Sequence, residues 1–336
     1  MTPAIFGIAG PQLSDDERAF FTDADPAGYI LFARNCVTRD QMRRLTDDLR
    51  ALHGREKTLI SIDQEGGRVS RMKPPEWPAY PAGEAFGRLY QVAPASAIEA
   101  ARANAEAMGR ELAHVGINVD YHAPFDVRRP ETDAVIGDRA LGSDPMQVAA
   151  LGRATLSGLG RAGVVGCLKH MPGHGRATAD SHKEMPVVTA SAEELETDLE
   201  PFQTLRDTPI GMSAHIRFPV WDERNPATLS PFIIQTIIRE KIGFTGLLLT
   251  DDIDMQALDG TIPERAERAI AAGCDIALNC WAKLDDMAGI AERVPPMSDE
   301  VSLRLDYALK GAGEPLDEIE TAELIAKRDA LLGQAA

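Results

Sequence analysis

Residues 164–175 of the chain read VVGCLKHMPGHG and change from an apolar run to a polar loop within a few positions. The first five residues show no alternation of polar and apolar side chains, which is typical of a parallel strand covered on both faces. The proline and the two glycines that follow exclude a helix over 172–175. The stretch therefore predicts a buried strand whose carboxyl end carries Lys169, His170 and His174.

Further apolar runs of the same kind are spread along the chain, at 5–8, 29–32, 59–62, 117–120, 210–213, 246–249 and 275–278. Amphipathic helical patterns lie between most of them, at 39–53, 97–114, 145–161, 192–205, 231–242 and 263–272. Regular alternation of strands and helices indicates βα units and a parallel sheet. With the first stretch, these runs predict an α/β fold, a closed (β/α)8 barrel of the TIM type.

The sequence also indicates how the chain is organised into domains. No linker-like or low-complexity segment divides the 336 residues. We therefore expect one catalytic barrel domain over 1–336, with C-terminal helices from about residue 285. The alternative is an open, doubly wound sheet, which typically has a GxGxxG turn after its first strand. The turn after 5–8 lacks that motif, so the closed barrel is favoured.

The composition limits both the partners and the location of the protein. Of its residues 44% are hydrophobic and 26% are charged, and the formal net charge is −17. Such a charge would repel a phosphate backbone, so we expect no nucleic-acid partner. The start of the chain lacks the basic and apolar segments of a signal peptide, and no run approaches the roughly 20 apolar residues of a membrane span. We therefore expect a cytoplasmic protein with no membrane partner.

Polar residues directly follow most of the predicted strands. In a TIM-type barrel these positions meet at the C-terminal rim, where active sites of this fold lie. Besides the three residues named above, they include Asp63, Glu65, Asp120, His122, Asp126, His215, Asp251 and Asp252. Their concentration predicts an active site at this rim.

Two pairs of residues within these segments leave a choice open. Asp180 lies two positions before His182, where its carboxylate could orient the imidazole as in a catalytic triad. A histidine of this kind is more often structural, and the spacing alone does not decide. Asp251 and Asp252 point to opposite sides of an extended chain, so only one can face the barrel axis. Such a carboxylate could attack an anomeric carbon, but periodicity does not say which one it is.

Several motifs, in this order, resemble those of glycoside hydrolase family 3. They are GYILFARN from residue 28, IDQEGGRVSR from 62, IGDRALG from 136, KHMPGHGRATADSH from 169, SAHIRFP from 213, NPATLSP from 225 and LTDDIDM from 249. We expect no second domain after the barrel, and in this the chain resembles the single-domain bacterial β-N-acetylglucosaminidases (β-hexosaminidases) of peptidoglycan recycling. The resemblance implies a retaining enzyme that removes N-acetylglucosamine (GlcNAc) from GlcNAc-anhydro-MurNAc muropeptides and needs no metal or organic cofactor.

The resemblance also implies a role for individual residues. Asp251 matches the nucleophile, His182 the acid/base and Asp180 its partner. The residues that match those holding the N-acetylglucosamine are Asp63, Arg71, Arg139, Lys169 and His170. Taken singly, Lys169 would be interpreted as a solvated charge at a strand end, and Arg71 and Arg139 as surface or ion-pair residues. Two departures from the family pattern lie beside these positions: Met171 replaces an aromatic residue, and Ile253-Asp254 replaces a more usual Leu-Ser.

Two other classes of function remain as alternatives. One is a metal-dependent hydrolase that uses His170, His174, Asp180 and His182 as ligands, since the residue types and spacing allow it. The loop lacks a helical HExxH, and the resemblance disfavours this alternative. The other is a sugar-binding barrel that binds N-acetylglucosamine without turnover.

Overall fold

The computed structural model describes residues 1–55, 57–122 and 124–335. Parallel strands close into one barrel in chain order, and the last strand is hydrogen-bonded back to the first. The strands are β1 Thr2–Gly7, β2 Pro26–Leu31, β3 Leu59–Ile62, β4 Val119–Asp120, β5 Val165–Met171, β6 Ile210–Ser213, β7 Leu247–Asp252 and β8 Ile276–Asn279. The predicted TIM-type barrel is confirmed.

Helices surround the barrel. They are α1 Asp15–Ala24, α2 Arg39–Ala51, α3 Gly83–Val92, α4 Pro94–His114, α5 Pro145–Arg161, α6 Ala192–Thr204, α7 Ile262–Ala272, α8 Leu284–Arg293, α9 Asp299–Ala308 and α10 Thr321–Leu332. The segment Ile233–Ile242, between β6 and β7, is a π-helix and not the α-helix that its pattern suggests. Within the described ranges, no helix has the length and apolarity needed to cross a membrane.

The strand ends differ most from the sequence prediction. β5 continues through Met171 and β7 through Asp252, each after an irregularity in its pairing with the next strand. The polar residues that were expected to follow these strands therefore form their last positions. Hydrogen bonds to the neighbouring strands hold this part of the backbone, which gives the side chains fixed starting points.

Side chains alternate between the inside and the outside of the barrel. Residues that share one buried cluster inside include Ile5, Ile30, Leu59, Val119, Cys167, Ile210, Leu247, Leu249 and Ile276. Their neighbours in sequence, among them Phe6, Tyr29, Ile60, Leu168, Leu248 and Ala277, pack outward in the larger cluster under the helices. α9 contributes Leu305 and Ala308 to the inner cluster, the turn that follows it adds Leu309, and together they close the N-terminal end of the barrel. The open end is the C-terminal rim.

Candidate active site

A cavity of about 230 Å³ opens at the C-terminal end of the strands. It is smaller than the roughly 300–1,000 Å³ of pockets for drug-sized ligands, which suits a single sugar ring. The predicted site residues that line it are Asp63, Arg71, Arg139, Lys169, His170, His182 and Asp251. The remaining one, Asp180, lies behind His182 and does not line the cavity.

The choice between the two neighbouring aspartates of β7 follows from the alternation of side chains. Leu247 and Leu249 belong to the cluster inside the barrel. Asp251 is the next residue on the same side of the strand, so its carboxylate continues this row toward the cavity. Asp252 continues the other row and also reaches the cavity lining, but its Oδ1 is engaged by the backbone N–H groups of Asp254 and Cys280.

The same rule explains where most of the cavity wall comes from. Continuing the inward-facing rows of the other strands brings Phe32, Asp63, Lys169, Met212 and Leu278 to the cavity. The cavity is thus the upper part of the barrel interior, with an apolar floor and charged walls.

Glu65 organises the cationic wall, although it was not among the predicted site residues. Its carboxylate accepts two hydrogen bonds of 2.8 Å from the Arg139 guanidinium, and the Lys169 Nζ lies 2.7 Å from its Oε1. Asp63 lies 3.4 Å from the Lys169 Nζ and 3.2 Å from an Arg71 nitrogen. Two acids therefore hold three cations in fixed directions around one side of the cavity.

These buried groups keep their charges. Burial alone would raise the pKa of Glu65, but Arg139 and Lys169 outweigh it and hold that pKa far below its usual range. Burial would likewise lower the pKa of Lys169, and Glu65 and Asp63 reverse the effect so that it is raised. The pKa of Arg139 is raised for the same reason, chiefly by Glu65. A charged network at neutral pH follows.

A second buried acid, Asp126, orients the histidines beside Asp251. Its Oδ2 lies 2.8 Å from the Nδ1 of His170, and its Oδ1 accepts the backbone N–H of His174 at 2.6 Å. With Nδ1 engaged, His170 directs its Nε2 toward Asp251, whose Oδ2 lies 4.0 Å away. Burial lowers the pKa of His174 to about 4, so that ring is neutral.

The two acids at the end of β7 differ in ionisation. Burial would raise the pKa of Asp251, but His170 and His215 outweigh it and lower that pKa. For Asp252, burial and the nearby Asp254 carboxylate both raise the pKa well above its usual range. Asp251 is therefore the carboxylate that is ionised and faces the axis, as a nucleophile requires.

Asp180 and His182 form a pair at the edge of the cavity. The Asp180 Oδ1 lies 2.8 Å from the His182 Nδ1 and accepts the backbone N–H of His182 at 3.0 Å. Burial would raise the pKa of Asp180, but its hydrogen bonds with His182 and Lys183 lower it. The imidazole is more than half exposed, and its Nε2 is the nitrogen left for an oxygen of a bound molecule.

Ser181, the residue between this pair, ties the loop after β5 to the segment that follows β7. The Ser181 carbonyl accepts the backbone N–H of Ala257 at 3.2 Å, and the Ser181 hydroxyl lies 3.6 Å from the Met255 sulfur. Both partners follow β7. The loop after β5 therefore crosses the rim to reach the segment that follows Asp251.

Glu65 and Asp126 are the functional residues that sequence reasoning missed. Glu65 was visible as a strand-end acid, and its position two residues after Asp63 places it in the row that faces the axis. Asp126 was also noted at a strand end, but no local pattern links it to His170. Both act by holding other side chains in place.

The four residues of the metal-site alternative do not form one cluster. His170 and His174 surround Asp126, while Asp180 and His182 bond to each other. Across the described ranges, no group of three or more His, Cys, Asp or Glu side chains is arranged to hold a metal ion.

Comparison with known proteins identifies the family to which the chain belongs. The model of the glycosyl hydrolase family 3 N-terminal domain matches residues 5–301. The chain belongs to glycosyl hydrolase family 3. The β-hexosaminidase of Chromobacterium violaceum is 36% identical to this chain over an alignment of 339 positions. That alignment covers 99% of this chain and 93% of the Chromobacterium protein. The β-hexosaminidase of Bordetella avium is 36% identical over 306 residues, covering 89% and 87%.

A solved structure shows the same likeness across the whole fold. It is NagZ from Neisseria gonorrhoeae in complex with N-trifluoroacetyl-D-glucosamine, with a TM-score of 0.87 and 30% identity. The alignment covers 100% of this family 3 chain and 98% of the Neisseria protein.

The two departures from the family 3 motifs lie in different surroundings. Met171 is fully buried and packs in the outer core behind β5, so it does not line the cavity. Asp254 lies just beyond Asp252, and its Oδ2 accepts hydrogen bonds from the last residue of β8 and from the two residues that follow it. The second departure therefore affects the cavity rim, whereas the first affects packing.

Proposed function

We propose that this family 3 chain is a retaining β-N-acetylglucosaminidase that removes terminal non-reducing N-acetylglucosamine from peptidoglycan fragments, the GlcNAc-anhydro-MurNAc muropeptides. The observation that carries the proposal is the ionised Asp251, which shares a cavity sized for one sugar with His182. The names of the relatives and the aminosugar analogue bound to the Neisseria protein support the choice of sugar. The proposal includes a cytoplasmic location and no metal or organic cofactor.

In this proposal the charged wall holds the sugar. Asp63, Arg71, Arg139, Lys169 and His170 supply charge-assisted hydrogen bonds to its hydroxyl and acetamido groups. Glu65 keeps two of these cations in position before the substrate arrives. A site that is organised in advance needs little rearrangement when charge develops in the transition state.

Asp251 and His182 then carry out the reaction in two steps. Asp251 attacks the anomeric carbon through an oxocarbenium-like transition state and forms a covalent glycosyl-enzyme, while His182 protonates the departing oxygen. In the second step His182 takes a proton from water, and the resulting attack releases the sugar with retained configuration. A histidine can serve both roles because it exchanges protons near neutral pH. The Asp180 carboxylate fixes the tautomer by holding Nδ1.

The stereochemistry of the product tests the covalent step. Two successive displacements at the anomeric carbon leave its configuration unchanged, so the first sugar released is expected to be the β-anomer. Proton NMR of the product, recorded before mutarotation, measures this directly. Initial release of the α-anomer would mean direct attack by water and would remove the nucleophile role from Asp251.

The dependence on the leaving group tests His182. A good leaving group needs little protonation, so His182→Ala is expected to slow glycosides of simple alcohols far more than activated aryl glycosides. We expect the two losses to differ by roughly 100-fold, within the range of general acid catalysis. Lys183→Ala is the matched control, because Lys183 also contacts Asp180 but points into solvent. Equal losses for both classes of substrate in His182→Ala would contradict the assignment.

One assay separates the proposal from its alternatives. Wild-type protein is incubated with 4-nitrophenyl N-acetyl-β-glucosaminide, with and without EDTA. Turnover in both conditions supports the proposal. Turnover abolished by EDTA would instead indicate the metal-dependent hydrolase, and binding without turnover would indicate a sugar-binding barrel.

A further inference from the structure

Trp281 is an exposed aromatic residue at the cavity rim. Its side chain is 62% exposed, whereas Trp77 is buried and Trp221 packs against Phe218. It directly follows Cys280, which lines the cavity. A single exposed aromatic residue needs no special explanation, but the backbone of this one is held in place by its neighbours.

The backbone around Trp281 is fixed from two sides. The Asp254 Oδ2 accepts hydrogen bonds from the Asn279 side chain at 2.8 Å and from the backbone N–H groups of Cys280 and Trp281 at 3.0 and 3.3 Å. Arg34, from the segment after β2, donates to the Cys280 carbonyl at 2.5 Å. Because this backbone is already held in place, it loses little conformational freedom when the indole binds a ligand.

The next two residues set the surroundings of the ring. Ala282 adopts a left-handed backbone conformation with φ of 56°, which a residue with a Cβ rarely adopts. The turn brings the Lys283 ammonium to 5.4 Å from the centre of the indole. The ring thus lies on a tight, defined turn.

The location of the turn relates it to the leaving group of the substrate. The neighbour of His182, Ser181, contacts Met255, and the backbone of Trp281 is held by Asp254. The loop that carries His182 and the backbone of Trp281 are therefore anchored on adjacent residues after β7. Because the donor must reach the glycosidic oxygen, the part of the substrate beyond that oxygen begins at this point of the rim.

The cavity volume leads to the same part of the substrate. About 230 Å³ suits one ring, so a second ring must lie outside the cavity, against rim residues. We propose that Trp281 is the platform on which the second pyranose ring, the one that leaves with the glycosidic oxygen, packs its apolar C–H face. This inference rests on the proposed function and adds to it a residue that determines the preference for a sugar as leaving group.

The test compares two substrates that share the first sugar and have alcohol leaving groups. They are N,N′-diacetylchitobiose, which has a second pyranose ring, and methyl N-acetyl-β-glucosaminide, which has none. We expect Trp281→Ala to lower the ratio of kcat/KM for the disaccharide to kcat/KM for the methyl glycoside by about 2- to 12-fold, the range of one aromatic contact. Trp281→Phe should retain most of the ratio, because it keeps an aromatic face.

Tyr307→Ala is the matched control. Tyr307 is 60% exposed and lies 5.6 Å from the Lys310 ammonium, but it belongs to α9 at the closed end of the barrel. In Tyr307→Ala, the ratio of kcat/KM for the disaccharide to kcat/KM for the methyl glycoside should equal that of the wild type. If the ratio in Trp281→Ala equals that of the wild type, the proposal that Trp281 packs against the second ring is wrong. This holds whether neither substrate is affected or both lose the same factor. Absence of hydrolysis of both substrates and of the aryl glycoside by the wild type would instead refute the proposed function.

Discussion

Asp251→Ala is expected to remove nearly all turnover, lowering kcat on an aryl N-acetyl-β-glucosaminide by about 1,000-fold or more. The reason is that Asp251 is the ionised carboxylate in the row that faces the barrel axis, with His170 beside it. Without it, no covalent glycosyl-enzyme can form at this position. Steady-state kinetics measures the loss, and circular dichroism with a melting curve shows whether the variant is folded.

Asp252→Ala provides the comparison for this variant. Asp252 is adjacent and partly buried, but its Oδ1 accepts backbone N–H groups of Asp254 and Cys280. Losing such buried hydrogen bonds disturbs the rim by about 1–3 kcal/mol, or roughly 5- to 150-fold in rate. The loss in Asp251→Ala should therefore exceed that in Asp252→Ala by at least about sevenfold. Comparable turnover in both would exclude Asp251 as the nucleophile.

Glu65→Gln is expected to lower kcat/KM by about 100- to 1,000-fold. The substitution preserves the shape of the side chain but removes the charge that two buried cations share. Removing one partner of a buried ion pair costs about 3–5 kcal/mol of stability, because the remaining charges stay buried without an opposite charge. Part of this cost should appear as a lower melting temperature. Because folding depresses the pKa of Glu65, its stabilising effect is complete above the ordinary carboxyl pKa and decreases as the pH falls below it.

The control for this variant is Glu84→Gln. Glu84 also contacts two arginines, Arg88 and Arg128, but it does so at the surface. Exposed ion pairs contribute little, so its activity and melting temperature should stay close to those of the wild type. Wild-type kinetics in Glu65→Gln would mean that Lys169 and Arg139 do not depend on Glu65 for their positions. The difference in melting temperature between wild type and Glu65→Gln should narrow in acid.

The barrel was predictable from the sequence because its strands are short apolar runs at regular intervals. In a chain of this length, few other folds have that pattern. Their ends were less predictable. β5 and β7 extend into polar residues after irregular pairing, and a pairing partner is a distant segment that no local pattern reveals. α1 was also missed, since its start depends on a capping box between Ser14 and Glu17 and its apolar face is weak.

The candidate site shows the same division. Strand-end positions and motifs brought Asp63, Lys169 and Asp251 to one rim, where the structure places them on one cavity. The choice of Asp251 over Asp252 on geometry needed the register of β7. The role of Glu65 could not be predicted, because it depends on contacts with Arg139 and Lys169, which come from segments far along the chain. Convergence of distant charges is a property of the folded chain, and a local pattern does not contain it.

The apolar floor of the cavity has a consequence for how this enzyme can diverge. Met212 and Leu278 touch the cavity and also belong to the buried cluster that seals the barrel. Reshaping the floor for another sugar therefore opens a hole or forces a clash in the core, at about 1–5 kcal/mol for each substitution. Trp281 stands outside that cluster and can be exchanged at little cost to folding. Descendants of this chain should thus vary freely in what they cleave the sugar from and rarely in the sugar that they recognise.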